Sequence, residues 1–184
     1  VTYSVGGLIL SNSGAVTANY WLSEIYDEEI AEAHRNADIH IHDLSMLTGY
    51  CAGWSLKQLI QEGLGGISGK ITSAPAAHLS VLCNQMVNFL GIMQNEWAGA
   101  QAFSSFDTYL APFVKVDNLT YREVKKCIEA FIYGVNTPSR WGTQAPFSNI
   151  TLDWTVPADL AELPAIVGGK EMDFKYKDCK KEMD

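Results

Sequence analysis

Cys51 is a residue whose type and surroundings suit chemistry. It lies within residues 48–56, which read TGYCAGWSL, among glycines and aromatic residues. Small neighbours leave room for another molecule to reach a thiol, which can then act as a nucleophile, a metal ligand or a redox group. A single cysteine in such a setting is also a common small member of a hydrophobic core. From these residues alone, both interpretations of Cys51 stay open.

Two histidines precede this cysteine by about ten residues. His40 and His42 are spaced two apart in the stretch DIHIHD. If residues 37–44 form a short strand, both imidazoles lie on one face, and such a pair can begin a divalent metal site. The other histidines, His34 and His78, fall in helical patterns and add no evident ligand. A metal-dependent hydrolase built on His40 and His42 is therefore an alternative, beside an ordinary structural role for the pair.

Two later stretches have the composition of ligand-binding segments. Residues 136–149 read NTPSRWGTQAPFSN and combine polar side chains with backbone donors, as loops that hold polar or anionic ligands do. Arg140 in this loop has a guanidinium that can bind phosphate in a bidentate way. Residues 95–108 are rich in Ala, Gly and Ser around Gln101, which permits close approach of a ligand. An ordinary turn and tight sheet packing are the competing interpretations.

Alternating helices and short strands must position these residues. The clearest helical pattern covers about 74–95, where apolar residues recur at steps of three and four and Ser73 can cap the first turn. Thr120 is expected to cap a second long helix. Further helices are expected over 17–36, over 55–66 and from Asp107, and strands over 37–44 and 145–154. The chain is expected to begin with a strand or loop over 1–10 and a turn at 12–14. One helical turn within 155–169 and a solvated charged helix at the end complete the expectations. This order predicts an α/β fold with too few strands to close a barrel.

The composition of the chain argues against some classes of binding partner and favours one compartment. The chain has 184 residues and a net charge of −8, so a general polyanion-binding surface is not expected, and nucleic acid is not a predicted partner. Four widely spaced cysteines favour a reducing, cytoplasmic compartment over a disulfide framework. No apolar run is long enough to span a bilayer. The absence of an initial Met and the open helical pattern at the end predict a fragment of a longer protein.

Four stretches in order are more specific than any one of them. The stretches NADIHIHDL, GYCAGWSL, WAGAQAFSSFDTYLAPF and NTPSRWGTQAPFSNITLDW together resemble the anaerobic (class III) ribonucleoside-triphosphate reductases, and the resemblance covers nearly the whole chain. It implies an enzyme that converts ribonucleoside triphosphates to 2′-deoxyribonucleoside triphosphates by glycyl and thiyl radical chemistry. It also implies that residues 1–184 are one incomplete, helix-rich segment of a ten-stranded α/β barrel, without ATP cone, finger loop or glycyl radical domain, and inactive alone.

The resemblance also implies roles for particular residues. Cys51 corresponds to the thiol that faces the ribose 2′ position and takes part in reducing the radical sugar, with formate or a protein thiol as reductant. Lys115 corresponds to a contact with effector phosphates. No residue of this chain is expected to bind a metal. The implied substrate-binding residues are His42, Ser139, Arg140, Gln144 and Asn149.

Cofactors and partners follow from the same resemblance. A glycyl radical and a zinc ion are expected in the complete protein, outside this chain. The expected partners are ribonucleoside triphosphates, dNTP and ATP effectors, a second copy in a homodimer, and an activating enzyme that carries an iron–sulfur cluster and uses S-adenosylmethionine. An effector-binding dimerisation module without catalysis is the alternative from another functional class.

Overall fold

The structure, a computed structural model, describes residues 4–139 and 144–184 as a mixed α/β arrangement. Its helices are α1 (Val5–Tyr20), α2 (Glu28–Arg35), α3 (Leu56–Glu62), α4 (Leu79–Met93), α5 (Phe106–Val116), α6 (Tyr121–Val135), α7 (Ala158–Ala161) and α8 (Lys180–Met183). A π-helical turn covers Trp21–Ile25 and a 3-10 turn covers Tyr176–Cys179. The strands are β1 (Tyr50–Trp54), β2 (Ala98–Phe103), β3 (Ser148–Ile150), β4 (Pro164–Val167) and β5 (Lys170–Lys175).

A parallel sheet with strand order β1-β2-β3 forms the centre of the fold. Parallel neighbours need long crossover connections, and here α3 and α4 join β1 to β2 while α5 and α6 join β2 to β3. The predicted α/β class is therefore confirmed. Among the described residues this sheet has three strands, and β4 and β5 pair separately as an antiparallel hairpin.

The hydrophobic core lies between the sheet and the long helices. Phe103 on β2, Met86 on α4 and Phe113 on α5 are fully buried. Phe131 of α6 packs against Phe106 at the start of α5, with ring centres 5.6 Å apart. Burial of large apolar side chains of this kind provides most of the favourable free energy of folding, and it fixes the sheet that carries Cys51.

The predicted cap at the start of the second long helix is confirmed. Thr120 caps α6 in a capping box: its hydroxyl accepts the Glu123 N–H, and the Glu123 carboxylate accepts the Thr120 N–H. Gly63 follows α3 with φ of 71°, a conformation that glycine adopts at little cost. The single helical turn expected within 155–169 is present as α7.

The beginning of the chain differs from its prediction. Instead of a strand or loop and a turn, residues from Val5 onward form α1, and the Ser4 hydroxyl caps it by accepting the Gly7 N–H at 3.0 Å. Gly14 does not turn the chain: it lies within α1 and packs against Ser45, whose Cβ would lie 2.9 Å from an added methyl group. The helix predicted over 17–36 is split by the π-helical turn, so α2 begins only at Glu28.

The strand predicted over 37–44 is absent, and this segment is irregular. Ala37 and Asp43 have φ of 64° and 51°, and such left-handed residues interrupt an extended run. The helix predicted over 74–95 begins later, at Leu79. Ser73 does not cap it: the N-cap residue is His78, and the Ser73 hydroxyl accepts a hydrogen bond from Gln85 Nε2 at 2.8 Å.

The charged segment at the end is largely not the predicted solvated helix. Residues 170–175 form β5, which returns along β4 after the turn at Gly168 and Gly169. Met172 and Phe174 alternate with charged residues and pack against the core. Tyr176 and Cys179 beyond β5 are buried. The alternation of Met172 and Phe174 with charged residues is therefore that of a half-buried strand.

Glu162 joins this hairpin to the turn after α7, and its titration gives a testable prediction. Lys175 and Lys177 each donate a hydrogen bond to the carboxylate at 2.6 Å, which lowers the pKa of Glu162 to about 2. Because the pKa is depressed, the stabilisation is present above the carboxyl's ordinary pKa and is lost as the pH falls through about 2. We expect a carbon-detected NMR titration of Glu162 to have its midpoint near 2. In Lys175→Gln/Lys177→Gln, the midpoint should return towards the ordinary value; an unchanged midpoint would contradict this ion pairing.

Candidate functional site

Cys51 is the second residue of β1, and its side chain is exposed. Its backbone has φ of 55°, in the left-handed region. The register shifts at this point: Tyr50 pairs with Ala98 and Ala52 pairs with Gln101, so β2 carries one extra residue opposite Cys51. This is a β-bulge, a feature that redirects side chains. The Sγ atom accepts the N–H of Ala100 at 3.3 Å across the bulge.

His42 lies beside the start of β1. Its ring centre is 5.9 Å from that of Tyr50 in an edge-on arrangement, and Tyr50 directly precedes Cys51. His42 Nδ1 and His40 Nε2 share a hydrogen bond of 3.1 Å. His34 Nδ1 accepts the Ile41 N–H, and its ring lies 5.8 Å from that of His40. The structure therefore groups three histidines near the residue before the candidate thiol.

These histidines do not form a metal site of the predicted kind. They do not lie on a strand, so the premise that one strand face presents both His40 and His42 is wrong. Across residues 4–139 and 144–184, no three side chains of His, Cys, Asp or Glu are arranged to hold a metal ion. The pair lacks the further protein ligand that zinc sites use, so the hydrolase alternative has no geometric support in this region.

The predicted substrate-binding residues are distributed over several elements. Ser139 lies beyond the end of α4, where its hydroxyl accepts a hydrogen bond from Gln94 Nε2 at 2.8 Å. Gln144 lines a cavity together with Ser45 and residues of α1. Asn149 is an exposed residue of β3 in register with Ala102 of β2. Arg140 lies outside the described residues.

Lys115, the predicted effector contact, is engaged within the chain. Its Nζ donates to the Asp178 carbonyl at 3.0 Å and lies 3.6 Å from the Glu182 carboxylate. It also lies 5.8 Å from the centre of the Phe174 ring. In this structure Lys115 therefore joins α5 to the segment after β5.

Two buried amides support the site: Gln94, which the sequence did not single out, and Gln101, which lies in the predicted close-approach stretch. Gln94 is buried at the end of α4 and holds Ser139. Gln101, fully buried on β2, accepts the Trp54 Nε1–H at 2.7 Å. Gln101 Nε2 has no hydrogen-bond partner among the described residues. A glutamine among apolar residues indicates a buried amide, but the sequence cannot identify its hydrogen-bond partner, which is distant along the chain.

Asp107 is another residue that the sequence did not assign to the site. Its carboxylate accepts the N–H groups of Asp153 and Trp154 at 2.9 and 3.0 Å. Thr108 adds a hydrogen bond of 2.6 Å from its hydroxyl to the Asp153 carboxylate. Asp107 therefore holds the chain that leaves β3 against the start of α5, and it fixes the strand that carries Asn149.

The four thiols should differ strongly in reactivity. Burial raises the pKa of Cys83 to about 12 and that of Cys179 to about 11, and desolvation also raises the pKa of Cys127. Cys51 is exposed. Because the thiolate is the reacting form, we expect iodoacetamide to modify Cys51 before the other three in the folded protein at neutral pH. Peptide mass spectrometry over time checks this order, and faster labelling of Cys83 would contradict the described burial.

A family model that matches the whole chain identifies its family. The family model described as anaerobic ribonucleoside-triphosphate reductase matches residues 1–184. The chain belongs to this family. No curated protein matches the chain. The resemblance seen in the four sequence stretches is thus confirmed for an anaerobic ribonucleoside-triphosphate reductase.

Solved structures share the fold. The chain is similar to an anaerobic ribonucleotide reductase from Thermotoga maritima in complex with dATP and CTP, with a TM-score of 0.74 and 22% identity over 98% of this chain and 33% of that chain. A second Thermotoga maritima structure, with citrate in the active site, gives a TM-score of 0.75 at 23% identity and covers 98% of this chain and 35% of that chain. The chain spans about a third of the length of these structures. Among its described residues, no helix is long and apolar enough to cross a membrane.

Proposed function

We propose that the intact protein reduces ribonucleoside triphosphates to 2′-deoxyribonucleoside triphosphates, with Cys51 as a redox-active thiol at the ribose. The observation that carries this proposal is the family match over residues 1–184, in which an exposed cysteine lies on the first strand of the sheet. Exposure suits a thiol that must meet a substrate, whereas a cysteine that only fills a core is buried.

The proposed reaction replaces the 2′-hydroxyl of the ribose by hydrogen, and the hydroxyl oxygen leaves as water. Formate, oxidised to carbon dioxide, supplies the two electrons and returns a hydrogen atom to Cys51. If a protein thiol is the reductant instead, that thiol and Cys51 supply one electron each and are oxidised together to a disulfide. Cys51 donates the hydrogen of its S–H group to the sugar. The Ala100 amide holds Sγ as an acceptor, so the S–H hydrogen stays free to point at a substrate.

The substrate is proposed to lie against His42, Ser139, Arg140, Gln144 and Asn149. The His42 ring contacts the Tyr50 ring edge-on, and Tyr50 directly precedes Cys51. Arg140 would hold the triphosphate, since a guanidinium binds phosphate oxygens in a bidentate way. The complex of the Thermotoga maritima structure with dATP and CTP supports nucleotide binding. Lys115 stays a prediction for the effector site; binding there would require its ammonium to leave the Asp178 carbonyl.

The proposal extends to the protein of which this chain is a segment. We propose that residues 1–184 belong to a ten-stranded α/β barrel in a cytoplasmic homodimer, activated by an iron–sulfur enzyme that uses S-adenosylmethionine. The edges of the described sheet, β1 and β3, support further strand pairing because unpaired edges are costly to leave exposed. The glycyl radical, which would supply the oxidising equivalent that starts the reaction, and the zinc ion are assigned to other parts of that protein.

An anaerobic assay tests this function. The intact protein, activated by its partner enzyme, is incubated with CTP and formate, and the products are separated by chromatography. We expect dCTP to form in proportion to the CTP consumed. Conversion of CTP to any product other than a deoxynucleotide, or no conversion by a protein that carries the stored radical, would overturn the proposal.

A further inference from the structure

We propose that Gly99 is a positioning residue for the Cys51 thiol, because the missing side chain at position 99 provides the space that Sγ occupies. The catalytic meaning of this inference rests on the proposed function, but its structural content does not. Gly99 lies in the bulge of β2, directly across from Cys51.

The steric observation is specific to this pair. A Cβ atom built on Gly99 would lie 2.6 Å from Cys51 Sγ, closer than real Cβ contacts occur. The same Cβ would lie 3.1 Å from the Tyr50 ring, which itself contacts His42. Gly99 also has φ of 73°, where residues with a side chain are strained. A methyl group at this position therefore has to displace the thiol.

A hydrogen bond from the Ala100 N–H orients the thiol within the space left by Gly99. Ala100 follows Gly99 in the bulge, and its N–H points across the strands to Cys51 Sγ at 3.3 Å. In a regular ladder this N–H would be directed at a backbone carbonyl. Here the extra residue on β2 turns it to the sulfur, so one bulge both makes room for Sγ and fixes it from one side.

Matched controls separate this role from the general strain of a left-handed glycine. Gly69 has φ of 79° and open space around its Cβ position. Gly69→Ala therefore introduces backbone strain without a clash. Gly53 lies two residues after Cys51 on β1, also with open space and without a positive φ. Gly53→Ala tests the tolerance of the strand itself.

A double-mutant cycle tests the contact directly. We expect Gly99→Ala to reduce the folding equilibrium constant at least about fivefold more in the presence of Cys51 than in a Cys51→Ala background, because overpacking costs free energy only while Sγ is there. Urea unfolding of the four proteins measures this difference. Equal costs in both backgrounds would overturn the inference. Gly69→Ala should show no such dependence on Cys51.

Hydrogen exchange gives a second readout, which holds even if Gly99→Ala is only marginally stable. The Ala100 amide should be protected in the wild-type protein and should exchange at least about tenfold faster in Cys51→Ala, which keeps Gly99 but removes the acceptor. Unchanged exchange at Ala100 would show that the sulfur does not hold this amide and would contradict the positioning role.

The reductase assay completes the test in the intact protein. We expect Gly99→Ala to lower kcat for deoxynucleotide formation with little change in KM. The severe clash falls on the thiol, whereas the Tyr50 ring beside His42 has to yield by only a few tenths of an ångström. If Cys51→Ser abolishes reduction but Gly99→Ala leaves kcat unchanged, the positioning inference fails and the proposed function stands. If the thermodynamic cycle shows coupling but Cys51→Ser remains active, the function of Cys51 fails and the contact stands.

Discussion

Cys51→Ser should abolish ribonucleotide reduction in the intact enzyme while the protein stays folded. The exposed side chain tolerates the smaller oxygen atom. However, a serine O–H bond is much stronger than a thiol S–H bond, so the hydroxyl cannot donate a hydrogen atom to the sugar. We expect deoxynucleotide formation to fall at least about a thousandfold, the scale on which loss of a chemically obligatory group acts.

Cys127→Ser is the matched control for this substitution. Cys127 lies half-buried on α6, away from the sheet. The same chemical change there should leave the rate within about twofold, the range of a substitution outside the reacting groups. Deoxynucleotide formation by Cys51→Ser at more than a tenth of the wild-type rate would contradict a role of this thiol in the chemistry.

Phe103→Ala should destabilise the fold by about 3–5 kcal/mol, the usual cost of removing a buried phenylalanine. Phe103 is fully buried on β2, where its ring lies 5.7 Å from that of Phe89 on α4. Its carbonyl accepts the Thr151 N–H at 2.9 Å, just beyond β3. The cavity would therefore open between α4 and the sheet that carries Cys51, and urea unfolding measures the loss.

Tyr133→Ala on α6 provides the comparison for Phe103→Ala. Tyr133 is 71% exposed, so its removal should change the free energy of unfolding by no more than about 0.5 kcal/mol. Similar costs for the two substitutions would show that the sheet and α4 do not pack as described.

Local signals explain which helices could be predicted from the sequence. The capping box of Thr120 and Glu123 and the apolar stripe that follows define α6 within one segment of chain. Such signals depend on residues three and four apart, which one stretch of sequence contains. The start of α4 at Leu79 was less predictable, because Ser73 has the chemistry of a cap but its hydroxyl is used by Gln85.

Strands depended on partners that no local pattern reveals. Residues 50–54 are small and aromatic and do not alternate, yet they form β1 because β2 lies alongside. The sequence of β5 is typical of a charged helix, but these residues form a strand because they pair with β4 in a hairpin. Conversely, the alternating residues 37–44 form no strand, since left-handed backbone at Asp43 interrupts the run. Strand pairing is set by tertiary context more than by propensity.

The candidate site also contains residues that could be predicted from the sequence and residues that could not. The resemblance pointed to Cys51 and His42, and the structure places His42 against the residue before Cys51. The residues that support them were not predictable, because Gln94 and Gly99 act through contacts across 45 and 48 positions of sequence. Glycine in a small-residue stretch indicates close approach, but only the strand register identifies what approaches.

Protection of Cys51 by substrate shows whether this thiol faces the nucleotide, and the measurement does not require the radical. The intact protein is alkylated with iodoacetamide with and without CTP, and each cysteine is followed by peptide mass spectrometry. At ten times its Kd, CTP should slow alkylation of Cys51 roughly tenfold, since only the free protein reacts. The rate at Cys127 should not change. Equal alkylation of Cys51 at a CTP concentration shown to saturate the protein would place the thiol away from the substrate and contradict its proposed role at the ribose.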